Sequence, residues 1–467
     1  MLKTIPLRFS RRPWRLLFIA LLFFFTAYTL SRTRHEPQAP PPTFHKKTKL
    51  FFPPLKSSSG NIDPDYCENF PRDLLDKYQV VLKTGVADSA KNKAHLSTVT
   101  SCITNLIVVS DHAEKIGERQ VIDILGELPA SYGVNNTDFE AYAAHKKAHA
   151  EGEAPTYSRE GWRLDRFKFL PMVDKAYELN PKAQWYIFLE SDVYFFWDTL
   201  FRQLSLMDPN EKHYLGSPVA GSDNRYFGYG GAGFVLSQGL MKALYPPKEG
   251  NTPSGNEHRL SVQYEQWAKN DCCGDAVLGY AILNSTGTRL EALYPTFSGD
   301  ELKSIKVDRE RWCIPLLSLH RVVPEQMEQL WKWERTRPYT EKPFVYSSML
   351  AYTHAHLRDG PSREFWDNLS EMPVPNDRPA HRDAGACGSE CNNDPNCLQY
   401  SYSQTVCRHS NYIKLGNSVN KENGGQGEFI SGWDLNKMAE LGLKFDENKN
   451  LIDTSCEETT WLTPVVR

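Results

Sequence analysis

Short apolar runs that alternate with longer amphipathic stretches are the feature that most limits how this chain can fold. Three runs have the length and composition of buried strands: residues 78–83 (YQVVLK), 105–110 (NLIVVS) and 185–189 (WYIFL). Residues 163–179 place apolar side chains at helical spacing, at Phe167, Leu170, Val173 and Ala176. This alternation predicts an α/β fold with a mostly parallel, twisted sheet flanked by helices, which binds ligands beyond the carboxyl ends of its strands.

One predicted strand end carries an acidic pair. The run at 185–189 leads directly into Glu190, Ser191 and Asp192. Carboxylates two residues apart where a strand stops can both face an open site, and their hard oxygen donors suit Mn²⁺ or Mg²⁺ that also holds the diphosphate of a sugar nucleotide. Glu-x-Asp is also common on solvated surfaces, but a surface loop rarely lies between five apolar residues and the apolar residues 193–196.

Other candidate residues follow apolar runs or form a glycine-rich segment. Asp111 follows the run at 105–110, where a nucleotide-binding loop and an ordinary turn aspartate are equally good interpretations. His320 follows apolar residues 314–319, so a neutral imidazole there is a candidate metal ligand. The segment with Gly230, Gly231, Ala232 and Gly233 predicts either a close approach of backbone to a substrate or a structural turn.

Four segments in order carry a family resemblance. They are residues 168–204 (KFLPMVDKAYELNPKAQWYIFLESDVYFFWDTLFRQL), 227–237 (FGYGGAGFVLS), 272–280 (CCGDAVLGY) and 316–331 (LLSLHRVVPEQMEQLW). Together they resemble the helix, strand and acidic metal motif, the GGAG segment, the aspartate segment and the closing histidine segment of the fringe-like and core 1 galactosyltransferases, which are inverting β-1,3-glycosyltransferases. The resemblance covers roughly residues 78–335, and it implies a GT-A-like fold.

The resemblance also implies roles for individual residues. Asp192, His320 and Glu190 are expected to hold Mn²⁺ or Mg²⁺, with Asp192 the firmest ligand because family members often have three aspartates where this chain has Glu190, Ser191 and Asp192. Glu190 and Ser191 of the acidic motif are expected to contact a UDP-sugar, as is Asp111 from its position after a predicted strand. Asp275 matches the base that deprotonates the acceptor hydroxyl, with Asp271 as its rival and a helix N-cap as the structural alternative.

The N-terminus predicts a membrane anchor. Residues 16–30 are uncharged and strongly apolar, and basic residues precede them. The positive-inside rule then places the N-terminus in the cytosol and the body in the lumen, as in a type II protein of the Golgi membrane. A cleaved signal peptide is the alternative, although no small-residue cleavage site follows the run. Sequons at Asn135, Asn284 and Asn368 are candidate N-glycosylation sites that agree with a lumenal body.

The C-terminal part has a different composition. Cys387, Cys391, Cys397 and Cys407 resemble the pattern of PAN/apple-like modules, and four cysteines allow three pairings. A zinc site is the alternative. The neighbouring Cys272 and Cys273 are expected to pair with different partners, among them Cys313. The predicted organisation is a cytosolic tail (1–15), a transmembrane signal anchor (16–31), a proline-rich stem (32–61), a catalytic domain (62–365), the disulfide module (380–437) and a C-terminal tail (438–467).

These observations favour one function class. A net charge of −3 provides no chain-wide basic field, so no nucleic-acid partner is expected. The chain is expected to transfer a hexose, with galactose favoured by the resemblance, from a UDP-sugar to a glycan or glycoprotein acceptor. The alternative is an inactive relative that binds glycans or acts like a chaperone. A glycoside hydrolase is a weaker third option, because it would need two carboxylates flanking a cleft and no metal or nucleotide motif.

Overall fold

The computed structural model describes residues 42–56, 64–153, 159–246, 258–338, 341–419, 429–448, 450–453, 456 and 458–467. The chain separates into a unit Met1–Pro42 and a compact unit Thr43–Arg467. The predicted cytosolic tail and membrane anchor lie outside the described residues, as does the first part of the predicted stem. Within the described ranges, no helix is both long and apolar enough to cross a bilayer.

A mixed sheet forms the centre of the second unit. Counting described residues only, it has nine strands. From one edge to the other they are β24 (Val465–Val466), β12 (Glu291–Ala292), β8 (Tyr214–Gly216), β11 (Phe234–Ser237), β6 (Trp185–Glu190), β2 (Tyr78–Lys83), β3 (Ile107–Ser110), β5 (Arg119–Asp123) and β4 (Glu114–Ile116). The predicted strands at 78–83 and 185–189 are confirmed, and β3 begins two residues later than predicted.

The sheet is less parallel than the sequence predicts. The middle of the sheet is parallel, since β2 pairs in this way with both β3 and β6, and β3 with β5. However, β11 runs antiparallel to both β6 and β8. The chain between β8 and β11 contains the small hairpin of β9 (Pro218–Ala220) and β10 (Tyr226–Gly228) and two 3-10 turns, without the helical crossover that a parallel return requires.

Apolar cores cover both faces of the sheet. Successive residues of β2 alternate between them, with Val80 and Leu82 in one core and Val81 in the other. The described α-helices are α1 (Ser89–Ser97), α2 (Thr137–Ala150), α3 (Arg159–Leu164), α4 (Phe169–Leu179), α5 (Trp197–Leu204), α6 (Gln238–Leu244), α7 (Leu260–Gln263), α8 (Glu265–Asn270), α9 (Gly274–Thr286), α10 (Pro324–Thr336), α11 (Leu350–Thr353), α12 (Ala384–Asn393) and α13 (Leu435–Glu440). Helices α4, α6 and α9 contribute to the core of Val81, and α5 and α10 to the other.

The helix predicted at 163–179 is interrupted. Its apolar positions are buried as expected, but a 3-10 turn at Asp165–Lys168 separates α3 from α4. This turn carries the charged residues Asp165, Arg166 and Lys168.

Part of the predicted stem belongs to the folded body. Strand β1 (Thr43–His45) pairs with β23 (Thr460–Leu462), and the backbone N–H groups of Phe51 and Phe52 donate to Asp198 Oδ1 at 2.7 and 2.9 Å. Phe52 is buried, which stabilises the segment by roughly 1.5–3 kcal/mol. Residues 43–56 are therefore not a free spacer, because the sequence pattern of proline and lysine does not reveal where isolated phenylalanines pack.

The C-terminal module contains a five-stranded antiparallel sheet within the described residues. Its strands are, in spatial order, β14 (Ser362–Glu364), β20 (Ile430–Trp433), β17 (Gln399–Ser403), β18 (Val406–Ser410) and β16 (Met372–Pro373). Cys387 pairs with Cys407 and Cys391 with Cys397, so these sulfurs are not thiolate ligands for zinc. Strands β14 and β16 precede residue 380, and Ile413 and Trp433 pack in the same core as Val80. The module therefore begins earlier than predicted and packs on the body.

Residues 438–467, predicted as a tail, also take part in the fold. Strand β24 pairs with β12 at the edge of the central sheet, and β21 (Leu443–Phe445) pairs with β22 (Leu451–Asp453). Cys456 forms a disulfide with Cys313. The chain end is thus held by strand pairing and a covalent bond.

Two further contacts link other parts of the second unit. Cys67 forms a disulfide with Cys102, and strand β15 (Trp366–Asp367) pairs with β19 (Asn417–Ser418).

Two sequence predictions about cysteine and asparagine are wrong. Cys272 and Cys273 form a disulfide with each other rather than with separate partners, and Cys313 is taken by Cys456. Asn368 is fully buried, and its Nδ2 donates to the carbonyl oxygens of Tyr400 and Gly432, so the folded protein has no room for a glycan there. Asn135 and Asn284 are exposed.

Candidate active site

A cleft opens where the order of the parallel strands reverses. From β2 the chain continues to β3 on one side, and it later returns to β6 on the other side, so the carboxyl ends of β2 and β6 lie at a topological switch point. Ligands of open α/β sheets bind at such points. The cleft there has a volume of about 480 Å³, and its lining includes Asp111, Glu190, Ser191, Asp192, Gly231, Asp275 and His320. Residues predicted from separate segments therefore line one cavity.

Three of these side chains form a cluster suited to a metal. One ligand atom each from Glu190, Asp192 and His320 lies within 4.8 Å of the others. Strand β13 (Ser318–Leu319) pairs antiparallel with β7 (Tyr194–Phe195), and this register brings the residue after β13 beside the acidic segment. His320 Nε2 lies 3.7 Å from Asp192 Oδ1, and the N–H of Val322 donates to the Asp192 carbonyl at 3.0 Å.

The donor set fits a hard divalent cation. Two carboxylates and an imidazole are the ligand types that Mn²⁺ binds, and Mg²⁺ accepts the carboxylates. Burial lowers the pKa of His320, although the Asp192 carboxylate opposes this, so the imidazole is neutral and has a lone pair to offer. Tyr229 Oη lies 3.1 Å from His320 Nδ1, which orients the ring with Nε2 towards Asp192. The cluster therefore has three candidate metal ligands, and Tyr229 orients one of them.

Lysines balance the charge of both carboxylates. Lys83, at the end of β2, lies 3.3 Å from Glu190 Oε1 and also pairs with Asp165. Burial alone would lower the pKa of Lys83, but the two carboxylates raise it above its ordinary value, so the ammonium group stays charged. Burial raises the pKa of Glu190 to about 7. The ammonium group of Lys83 opposes this increase, but Lys83 also pairs with Asp165. Lys91 Nζ lies 3.2 Å from Asp192 Oδ2.

The glycine-rich segment forms one wall of this cluster. A Cβ at Gly231 would lie 2.5 Å from His320 Cε1, and one at Gly230 would lie 2.8 Å from Glu190 Oε1. Gly233 has a φ of 72°, and a Cβ there would meet the ring of Phe195 at 2.4 Å. Ala232 is fully buried behind the wall. Gly230 and Gly231 need to be glycine because their backbone passes too close to the candidate ligands for a side chain, whereas Gly233 is required by its positive φ and by the Phe195 ring.

Asp275 lies across the glycine segment from the metal cluster. Its Oδ2 accepts the N–H of Gly230 at 3.1 Å, and Oδ1 accepts the N–H of Ala276 at 3.0 Å. Burial raises the pKa of Asp275, and these hydrogen bonds oppose the increase. The alternative of an N-cap role is wrong, since Cys273 occupies the cap position of α9. Asp271 is directed back to its own turn, where Oδ1 accepts the N–H of Cys273 at 3.1 Å.

Asp111 and Ser191 also lie at the cleft, but Asp111 is already engaged. Its Oδ1 accepts from Lys168 Nζ at 2.9 Å and from the N–H of Val86 at 3.2 Å. Burial raises the pKa of Asp111, but the ion pair with Lys168 outweighs burial, and the net pKa is lowered. Asp111 thus holds the turn after β2 in place, and Ser191 is buried at the floor.

Several residues of the cleft are not predicted from the sequence. Lys83 is the last residue of β2, as Glu190 is of β6, so a polar residue at the end of a buried strand would also have pointed to Lys83. Asp165 and Lys168 belong to the 3-10 turn inside the predicted helix, and nothing in the apolar spacing marks the interruption. The disulfide of Cys272 and Cys273 also lines the cleft.

No model of a known protein family matches the chain, and no curated protein shows significant similarity to it. What the cleft does is therefore inferred from its residues and from the motif resemblance.

Proposed function

We propose that this chain is a metal-dependent, inverting glycosyltransferase with a GT-A-like fold, which transfers a hexose from a UDP-sugar to a glycan hydroxyl in a β-1,3 linkage. The observation that carries the proposal is the meeting of Glu190, Asp192 and His320 at the switch point of the sheet, with Asp275 in the same cleft. The motif resemblance to the fringe-like and core 1 galactosyltransferases supports the reaction class, and galactose is the proposed sugar.

The cleft residues divide into two roles in this reaction. Asp192, His320 and Glu190 would hold Mn²⁺ or Mg²⁺, which would neutralise the diphosphate and stabilise the leaving group. Asp275 would accept the proton from the attacking hydroxyl as the oxygen bonds to the anomeric carbon and the bond to UDP breaks. The raised pKa of Asp275 makes it a stronger base than an exposed aspartate.

The compartment and anchor are part of the same proposal. A Golgi membrane protein with its catalytic body in the lumen would meet both nucleotide sugars and glycoprotein acceptors. All ten cysteines are paired in disulfides, which agrees with an oxidising compartment.

A glycan-binding protein without catalysis is the second candidate. The observation in its favour is that Lys83 and Lys91 already pair with Glu190 and Asp192, so the carboxylates have cationic partners without a metal. In an active enzyme, Lys91 would have to share Asp192 with the ion.

One experiment separates these candidates. The full chain would be purified and assayed for hydrolysis or transfer from a panel of UDP-sugars with Mn²⁺, with EDTA as the metal-free control. We expect turnover of at least one donor, its loss with EDTA, and its loss in Asp192→Ala with the protein still folded by circular dichroism. Turnover in Asp192→Ala equal to wild type would contradict the metal assignment. Mn²⁺ binding or glycan binding without any turnover would favour the second candidate.

A further inference from the structure

The lining of the cleft includes two uncharged groups in addition to the charged cluster. The Cys272–Cys273 disulfide and the indole of Trp162 both line the cleft. Trp162 is 60% exposed, and Cys272 is exposed, whereas Cys273 packs against the small core of Phe227, Ala276 and Tyr280. Large apolar groups left open inside a polar cleft are typical of ligand-binding surfaces.

The disulfide contributes little to holding the fold. It joins neighbouring residues, so it closes almost no loop, whereas Cys313–Cys456 spans 143 residues. The turn that carries it is already held by other contacts. Arg166 donates to the Asp271 carbonyl at 2.7 Å, and a Cβ at Gly274 would lie 2.3 Å from the Arg166 carbonyl oxygen, so the two backbones are in close contact. The bond therefore shapes the cleft wall more than it stabilises the protein.

The chemistry of this wall indicates its ligand. A disulfide has two polarisable sulfur atoms and no hydrogen-bond donor or charge, and the indole face is likewise apolar. A diphosphate and its metal need the charged side of the cleft at Glu190 and Asp192. The C–H face of a sugar ring is the group that fits sulfur and indole while its hydroxyl edge remains free for polar contacts.

The wall lies on the acceptor side of the proposed reaction. Cys273 is the N-cap of α9, two residues before Asp275, and both line the cleft, so a ring resting on the disulfide would lie on the same side of the cleft as the carboxylate. Trp162 lies four residues before Arg166, which holds this turn. Asp165 is already paired with Lys83 and Lys168, so the repulsion of a ring that carries its own carboxylate would come from Asp275.

We infer that Trp162 and the Cys272–Cys273 disulfide form the platform on which an uncharged pyranose acceptor packs beside Asp275. The acceptor role rests on the proposed function, whereas binding of the sugar ring does not. Each surface contributes by excluding water from the apolar face of the ring, which is worth about tenfold in affinity for a contact of this size.

Saturation-transfer NMR on the full chain tests the inference directly. The probes are methyl α-D-galactopyranoside and, as the charged comparison, methyl β-D-glucuronide. We expect saturation of the galactoside ring protons in wild type, a dissociation constant about tenfold higher in Cys272→Ser/Cys273→Ser and in Trp162→Ala, and a weaker signal for the glucuronide. The matched control, Cys391→Ala/Cys397→Ala, removes a disulfide of the C-terminal module and should bind the galactoside like wild type.

The outcomes separate this inference from the proposed function. Galactoside binding that stays within twofold of wild type in Trp162→Ala overturns the platform, even if the cysteine variant does not fold. Preferred binding of the glucuronide also overturns it. If wild type turns over no UDP-sugar but binds the galactoside in a manner that depends on Trp162 and the disulfide, the enzyme proposal fails and the platform stands.

Discussion

Gly231→Ala adds a single methyl group to the wall of the candidate metal site. The new Cβ would lie 2.5 Å from His320 Cε1 and 2.6 Å from Nε2. Ordinary van der Waals contact begins at 3.4 Å, so the imidazole would have to move by about 1 Å. The ring cannot move freely, because its backbone N–H donates to the Asp300 carbonyl at 3.0 Å and its Nδ1 lies 3.1 Å from Tyr229 Oη.

The displacement should weaken metal binding far more than folding. Metal–ligand distances tolerate a change of only about 0.2 Å, so a shift of about 1 Å removes His320 as a ligand. Disturbing the group that orients a ligand typically lowers metal affinity by about 10- to 100-fold, and a misplacement of about 1 Å can lower turnover by about 100-fold. We expect losses of this size for Gly231→Ala.

The assay is the Mn²⁺ dissociation constant of the full chain by isothermal titration calorimetry, with thermal unfolding as the check on folding. Gly133→Ala is the matched control, because nothing lies within 4 Å of the Cβ it would create. It should bind Mn²⁺ like wild type. If Gly231→Ala also binds Mn²⁺ with wild-type affinity while remaining folded, His320 is not a metal ligand.

Three further predictions concern the base, acid stability and a long-range disulfide. Asp275→Asn should keep Mn²⁺ affinity but lose about 10²- to 10⁴-fold in transfer rate, because an amide cannot accept the proton, while Asp271→Asn stays near wild type; the reverse result would make Asp271 the base. Burial lowers the pKa of His354 to about 3, well below its value in the unfolded chain, so its contribution to stability is complete above about pH 6.5 and is lost as the pH falls towards 3. The free energy of unfolding measured in urea should therefore be about 2 kcal/mol lower at pH 5 than at pH 7 because of this residue, and His354→Gln should reduce that difference. An unchanged pH dependence in the variant would exclude His354 as its source. Cys313→Ala/Cys456→Ala opens a loop with a sequence separation of 143 and should lower the free energy of unfolding by about 5 kcal/mol, whereas Cys272→Ala/Cys273→Ala should change it much less, and equal losses would contradict this account.

Local patterns were sufficient for the strands that build the cleft. Residues 78–83 and 185–189 are strands because short apolar runs bounded by polar residues are buried on both faces of a sheet. The polar residues that follow such runs, including Glu190 and Asp192, then lie at the carboxyl edge. The helix at 163–179 was only partly predictable, since apolar spacing does not report the 3-10 turn that brings Asp165 and Lys168 to the cleft.

The sequence by itself therefore determined the α/β character of the chain, the central parallel strands and the identity of the polar residues at their ends, because these depend on neighbours within a few positions. The tertiary structure alone decided the antiparallel course of β11, the burial of Asn368 and the bond between Cys272 and Cys273. It also placed His320 beside Asp192, 128 positions earlier in the chain, through the pairing of β13 with β7. Such contacts depend on strand register and on the packing of residues far apart in sequence, which no local pattern records.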